Sequence, residues 1–178
     1  MGRSRYKVYE ECFPYFITSS IVEGIPLFAN SNLAEMVLQA VVFLQKKRKV
    51  EVNAYVIMEN HIHLIAKGKD LSEHFRNFKS YTAHQMIRYL TQANNEYLLS
   101  QLKRAKKAHK SGSMHQLWQE GAHPKQIFDH SVMSQKIEYI HYNPVIRGYV
   151  DRAEHWRYSS ARNYLGEEGL IPVTLFRG

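Results

Sequence analysis

Apolar and polar positions along the chain follow two periods, and the changes of period mark out the elements. Residues 12–22 (CFPYFITSSIV) concentrate aromatic and β-branched side chains, which predicts a strand in spite of Pro14. From Asn32 the apolar residues Leu33, Met36, Val37, Val41 and Leu44 recur at three- and four-residue spacing and run into KKRK. That is the pattern of an amphipathic helix with cations at its C-terminal end. Alternation returns over Val50 to Met58 (VEVNAYVIM), Glu59-Asn60 reads as a tight turn, and His61 to Ala66 reads as the second strand of a hairpin. Asp70 and Glu73 form a capping-box pair before a long helical pattern carrying Leu71, Phe75, Phe78, Ile87 and Leu90, with Arg76, Lys79 and Arg88 on its exposed face. Residues 100–112 are a charge run, expected as a solvated surface helix or a mobile segment, and WQEGAHPKQIF after it is irregular by its Gly and Pro. Ser131 opens a last helical stretch, SVMSQKIEYIHYN, which Pro144 is expected to end. Strand, helix, hairpin, helix, then more strand and helix predict an α+β fold: a ferredoxin-like antiparallel sheet covered by helices, in a single domain spanning 1–178.

Composition narrows the partners. An apolar content of 44% with 12% aromatics fills the core of one domain of 178 residues, and a formal charge of +8 favours a polyanionic partner, nucleic acid first. Cys12 is the only cysteine, so disulfide frameworks and Cys-rich zinc knuckles are excluded and any metal must be held by His, carboxylate or amide groups. The opening MGRSRYKVYEECF has no apolar core of a signal peptide, and no apolar run approaches the roughly 18 residues of a membrane span. A soluble, cytoplasmic protein without a membrane partner is expected.

The chemistry concentrates in two places. On a strand alternate side chains share a face, so His61 and His63 of NHIHLIAKG point the same way and both imidazoles can reach one cation. In a chain with ten histidines the spacing is weak evidence alone. A pair of histidines on the less buried face of a sheet answers it equally well, and a catalytic metal needs a third ligand and an open position. On the helix ending YIHYNP, Lys136, Tyr139 and Asn143 fall on one stripe, while Met133, Ile137 and Ile140 form the stripe that faces the core. A cation near a phenol stabilises phenolate and neutralises a phosphodiester together, so this set suits phosphodiester transesterification.

NAYVIMENHIHLIAKG, FKSYTAHQMI, LWQEG, YIHYNPVIRGYV and HWRYSSARNYL, in this order over most of residues 50–165, resemble the single-tyrosine transposases with a His-hydrophobic-His motif, specifically the REP-associated tyrosine transposases. The resemblance implies a ferredoxin-like domain that cleaves and rejoins hairpin-containing single-stranded DNA with Mg²⁺ or Mn²⁺. It places His61 and His63 as metal ligands, Asn143 at the polar position that completes the metal site, and Tyr139 as the nucleophile of a 5′-phosphotyrosine intermediate. It also allows a homodimer in which one subunit's tyrosine serves the other's histidines. Tyr142 stands close enough to Tyr139 to be a second candidate nucleophile.

For the DNA backbone, Arg76 and Lys79 on the long helix, Arg147 after Pro144, and Arg157 beside Trp156 supply cations with an adjacent stacking surface. Two rival readings stand beside the transposase. A histidine-triad nucleotide phosphohydrolase needs a third alternating histidine where this chain has Ile65. A catalytically inert DNA-binding protein descended from a transposase differs from the enzyme only in forming no covalent adduct with DNA.

Overall fold

The computed structural model describes residues 13–109, 112–121 and 124–178, so Cys12, where the first predicted strand begins, lies outside the described residues. The elements are β1 (Tyr15–Ser20), α1 (Ser31–Arg48), β2 (Glu51–Ile57), β3 (His61–Lys67), α2 (Leu71–Gln92), α3 (Glu96–Arg104), β4 (Lys125–Gln126), α4 (His130–Ile146) and α5 (Ala161–Tyr164). The sheet order is β2-β3-β1-β4 with antiparallel pairing throughout. This is the ferredoxin-like α+β arrangement predicted from the element order.

Strand alternation divides the core in two. Tyr15, Ile17, Ile62 and Leu64 face α1 and α2 and pack with Val37, Leu38, Phe75 and Phe78. Phe16, Val56 and Ile65 face α4 and pack with Met133, Ile137 and Ile140. The predicted apolar stripe of α4 therefore does face the sheet. Between Val52 and Ala54 the register shifts by one residue, and Asn53 is the extra one. Its amide donates to Glu51 Oε1 and to the Thr174 carbonyl, both at 3.1 Å, so the C-terminal segment straps the bulge. The other side of β2 is covered by residues 156–160, where Ile57 N–H donates to Tyr158 O at 2.8 Å and Ser160 N–H to Tyr55 O at 3.0 Å. A sheet edge with its hydrogen bonds filled in this way is protected from pairing with another chain.

Four features differ from the sequence reading. Asp70 occupies the N-cap position of α2 with left-handed backbone, φ 50°, and makes no side-chain cap bond, so the capping box with Glu73 does not form. A cap side chain reaches the N2 or N3 amide from extended backbone, which Asp70 does not adopt. The charge run at 100–112 begins inside α3, whose Leu99 and Leu102 are buried. The irregular stretch before α4 contains β4, two residues paired with Tyr15 and Phe16. Most sharply, Pro144 does not end α4: the helix continues to Ile146, because a proline keeps a helical φ, and its missing amide bond and its ring's clash with the preceding turn fall in the last turn of the helix. Gly148 ends it, at φ 72°, with Tyr149 N–H donating to Pro144 O at 2.9 Å and Gly148 N–H to Val145 O at 2.8 Å. Those two bonds and a left-handed glycine make a Schellman motif.

Among the described residues no helix is long and apolar enough to cross a membrane.

Candidate active site

The hairpin turn sets the histidines. Met58 N–H donates to His61 O at 2.9 Å across the Glu59-Asn60 loop, and the loop is fastened to the segment after β1 by Ile21 N–H to Asn60 O and Phe28 N–H to Glu59 O, both 2.8 Å. His61 and His63 then project on the α4 side of the sheet, their ring centroids 4.8 Å apart. They are 8% and 6% exposed, so they stand on a covered face and not on the less buried face that the spacing left open.

Each imidazole is oriented through Nδ1. The Asn60 amide donates to Gly24 O at 3.2 Å, which turns its Oδ1 to His61 Nδ1 at 2.7 Å. Because a carbonyl oxygen only accepts, His61 Nδ1 carries the proton and Nε2 keeps its lone pair. His63 Nδ1 meets Thr18 Oγ1 at 2.8 Å. Burial, then the positive charge of Arg147, lowers His61, against the opposing pull of Glu59. Burial, then His61, Arg147 and Lys136, pushes His63 down to about 3. Both rings are therefore neutral at pH 7, the state in which imidazole ligates a metal.

Helix α4 brings the second half. Its N-terminus is capped by Asp129, which accepts from Val132 N–H at 2.9 Å and from Ser131 Oγ at 2.7 Å. Tyr139 is 42% exposed, with its ring 5.3 Å from His63 and 5.9 Å from Phe16. Lys136 lies over the Phe16 ring at 5.2 Å and the Tyr139 ring at 5.8 Å. Asn143, one turn on, is 7% exposed and its Oδ1 is buried without a hydrogen-bond partner. Arg147, a further turn on, bonds Glu59 of the hairpin at 2.7 Å. Tyr142 is half exposed to solvent.

The structure thus gathers Tyr139, the two histidines and Arg147, on one side of the sheet. Arg76 belongs to α2 on the opposite face and pairs loosely with Glu73 at 3.9 Å. Lys79 donates to Gln119 O at 2.8 Å and lies 5.8 Å from the Trp118 ring. Trp156 packs beneath α4, its indole donating to Ile57 O at 3.0 Å and stacked on Tyr149 at 5.5 Å, while Arg157 is exposed. Three participants escape a reading of motifs: Phe16, stacked on His63 at 5.2 Å, Thr18 and Glu59. The alternation of β1 places Phe16 and Thr18 on one face, but only the pairing of Thr18 with His63 shows that this face is the histidine face.

No protein-family profile matches the chain. A Haemophilus influenzae protein named as a REP-associated tyrosine transposase is 29% identical over 110 residues, 62% of this chain and 58% of that protein, so the match spans less than two thirds of the relative's length. The structure of a REP-associated tyrosine transposase bound to a REP hairpin superposes with a TM-score of 0.68 at 20% identity, over 97% of this chain and 90% of that one, and shares its fold. Motifs, sequence similarity and fold converge on one set of relatives: the proteins this chain resembles are the REP-associated tyrosine transposases.

Proposed function

We propose that this protein is a metal-dependent DNA strand transferase that cleaves and rejoins hairpin-containing single-stranded DNA, with Tyr139 as nucleophile and His61, His63 and Asn143 holding Mg²⁺ or Mn²⁺. The observation that carries the reading is the position of the exposed Tyr139 ring 5.3 Å from a buried, neutral His63. A solved relative bound to a REP hairpin supports a folded DNA strand as substrate.

The donor set fits a divalent cation. Both imidazoles have Nδ1 held by a neighbour, the arrangement that frees Nε2 and fixes a ligand ring. The Asn143 oxygen is buried and unpaired, a state that costs about 1–3 kcal/mol until the group gains a partner, and an amide oxygen is a competent donor to a hard cation. Among the described residues no group of three His, Cys, Asp or Glu side chains is placed to hold a metal, so an amide is a fitting third donor. When bound, the cation supplies Lewis-acid polarisation of a phosphate oxygen.

The residues of the chain do the rest. Tyr139 oxygen attacks phosphorus, the bond from phosphorus to the 3′ oxygen breaks, and the phenolic proton is carried off on the departing 3′-hydroxyl. The fragment downstream of the break stays on Tyr139 through its 5′ phosphate, as a phosphotyrosine, and attack by a 3′-hydroxyl reverses the step and joins strands. Lys136 and Arg147, on either side of Tyr139, offset the phosphate charge, and the exposed Arg157 extends the contact to the backbone, while Trp156, packed beneath α4 and stacked on Tyr149, supports that edge and does not stack on bases. Arg76 and Lys79 would serve only strand that passes the other face. Tyr139 meets His63 of its own chain, which supports cleavage within one subunit without an exchanged tyrosine from a homodimer.

The test is incubation of labelled single-stranded hairpins with Mg²⁺ or Mn²⁺, followed by mass spectrometry of the digested protein. A phosphotyrosine at Tyr139 is expected, absent from Tyr139→Phe and retained in Tyr142→Phe. Attachment at Tyr142 would reassign the nucleophile. No adduct from the parent with either metal would leave the inert DNA-binding protein.

A further inference from the structure

An ion pair crosses from the histidine hairpin to the tyrosine helix. Glu59 sits in the two-residue turn before His61, and its Oε1 accepts from Arg147 Nη1 at 2.7 Å. The turn is rigid, being fastened by the backbone bonds of Glu59 and Asn60 to Phe28 and Ile21. Arg147 is equally fixed at its root: it is the C-cap of α4, directly before the left-handed Gly148. A guanidinium has five N–H donors in a planar fork, and the Glu59 bond uses one of them. The Arg147 side chain is 43% exposed against 18% for Glu59, so the carboxylate is the more covered partner of the pair and the arginine the more open one.

The location of that fork is special. Arg147 lies two turns on from Tyr139, with Asn143 between, and its bonded partner Glu59 stands two residues before His61 on the histidine hairpin. Lys136 approaches from the other end, but as a point charge above the Phe16 and Tyr139 rings. Only a guanidinium offers a fixed, planar pair of donors to two phosphate oxygens.

We propose that Arg147 binds the phosphate that is cleaved, and that Glu59 is a positioning residue that holds its guanidinium over the histidine site. This rests on the strand-cleavage reading above, and extends it in two respects. Arg147 serves a single phosphate in place of general backbone affinity, and an acidic residue, which by charge alone opposes DNA binding, assists the reaction. A carboxylate that merely happened to lie nearby would, on neutralisation, tighten DNA binding and leave cleavage unaltered.

The experiment uses the full chain and two readouts. Single-turnover cleavage of a hairpin strand is measured for the parent, Glu59→Gln, Arg147→Lys, Arg147→Ala and the double variant Glu59→Gln/Arg147→Ala. The expected loss is roughly 100-fold for Arg147→Ala, as for removal of one donor to a developing charge. Glu59→Gln should lose about tenfold without weaker hairpin binding, and should cost nothing further once Arg147 is alanine. Arg147→Lys should keep the affinity and not the rate.

The second readout needs no chemistry. In Tyr139→Phe with chelator present, binding is measured for strands that each carry one uncharged methylphosphonate. One position should weaken binding, and that sensitivity should vanish with Arg147→Ala and shrink with Glu59→Gln. If the parent cleaves, the sensitive phosphate should be the cleaved one. If the parent never cleaves but the sensitivity depends on Arg147, the strand-cleavage reading fails while the phosphate clamp stands. Equal sensitivity in all variants, or additive rate losses in the double variant, would overturn the proposal.

Discussion

At the scale of single residues the site is defined by which atoms are already occupied. His61 and His63 both spend Nδ1 on a neighbour, Asn60 Oδ1 at 2.7 Å and Thr18 Oγ1 at 2.8 Å, so the unoccupied nitrogen of each is Nε2. On the proposed reading, removing either would unbalance the metal site more than the DNA interface, because the charges proposed to neutralise phosphate are Lys136, Arg147 and Arg157. His61→Ala and His63→Ala should each stop adduct formation while leaving hairpin binding in chelator largely unchanged; full cleavage by both variants would remove the metal from the reaction. Thr18→Val tests the orientation of His63. It keeps the shape and deletes the partner of Nδ1, so metal affinity measured by titration calorimetry should fall about 10- to 100-fold, the usual cost of an outer-shell partner.

At the scale of elements, the end of α4 decides where Arg147 stands. Gly148 adopts φ 72° and a Cβ added there meets nothing within 4 Å, so the whole penalty of Gly148→Ala is conformational. It should cost about 1–2 kcal/mol, read as a shift of the urea midpoint at constant slope, and should disturb Arg147 before Tyr139. A cost near zero would show that the Schellman end is not what fixes the helix. The same helix shows what sequence can and cannot carry. Its apolar stripe, Met133, Ile137 and Ile140, and the polar stripe of Tyr139 and Asn143 follow from the period of 3.6 and are legible without coordinates. Its end is not legible from Pro144, because proline forbids one bond and not the helical dihedral. The hairpin was legible for the same local reason, alternation on both sides of a two-residue turn. Strand β4 was not: two residues pair through their backbones with Tyr15 and Phe16, and backbone pairing leaves no mark on side-chain pattern. The supporting half of the site, Phe16, Thr18 and the Glu59–Arg147 pair, depends on the register of β1 against β3 and on where α4 ends, both long-range facts.

At the scale of the whole molecule, three histidines are buried in neutral form, and that couples stability to pH. His63 is pushed down to about 3 and His141 to about 4, in each case first by burial, and His61 is lowered by burial as well. His141 adds no chemistry of its own: it is 8% exposed, bonded to Ser160 Oγ at 2.9 Å and set 5.0 Å from the Tyr164 ring. In the unfolded chain each titrates near 6.5, so as pH falls below that value the unfolded state takes up protons that the folded state refuses. The stabilisation is complete above pH 6.5 and drains away towards pH 4 for His141 and pH 3 for His63. At pH 5 the loss is about 2 kcal/mol for each of these two. Asp129 and Glu154, whose carboxyls are held low by hydrogen bonds, act in the same direction only below the ordinary carboxylate range and leave this window to the histidines. Urea unfolding in chelator should therefore show a markedly lower midpoint at pH 5 than at pH 7, with His141→Gln losing less over the same interval. A midpoint that does not move between pH 7 and 5 would mean that the three imidazoles gain protons as readily folded as unfolded, and the neutral pair at the head of the site would lose its physical basis.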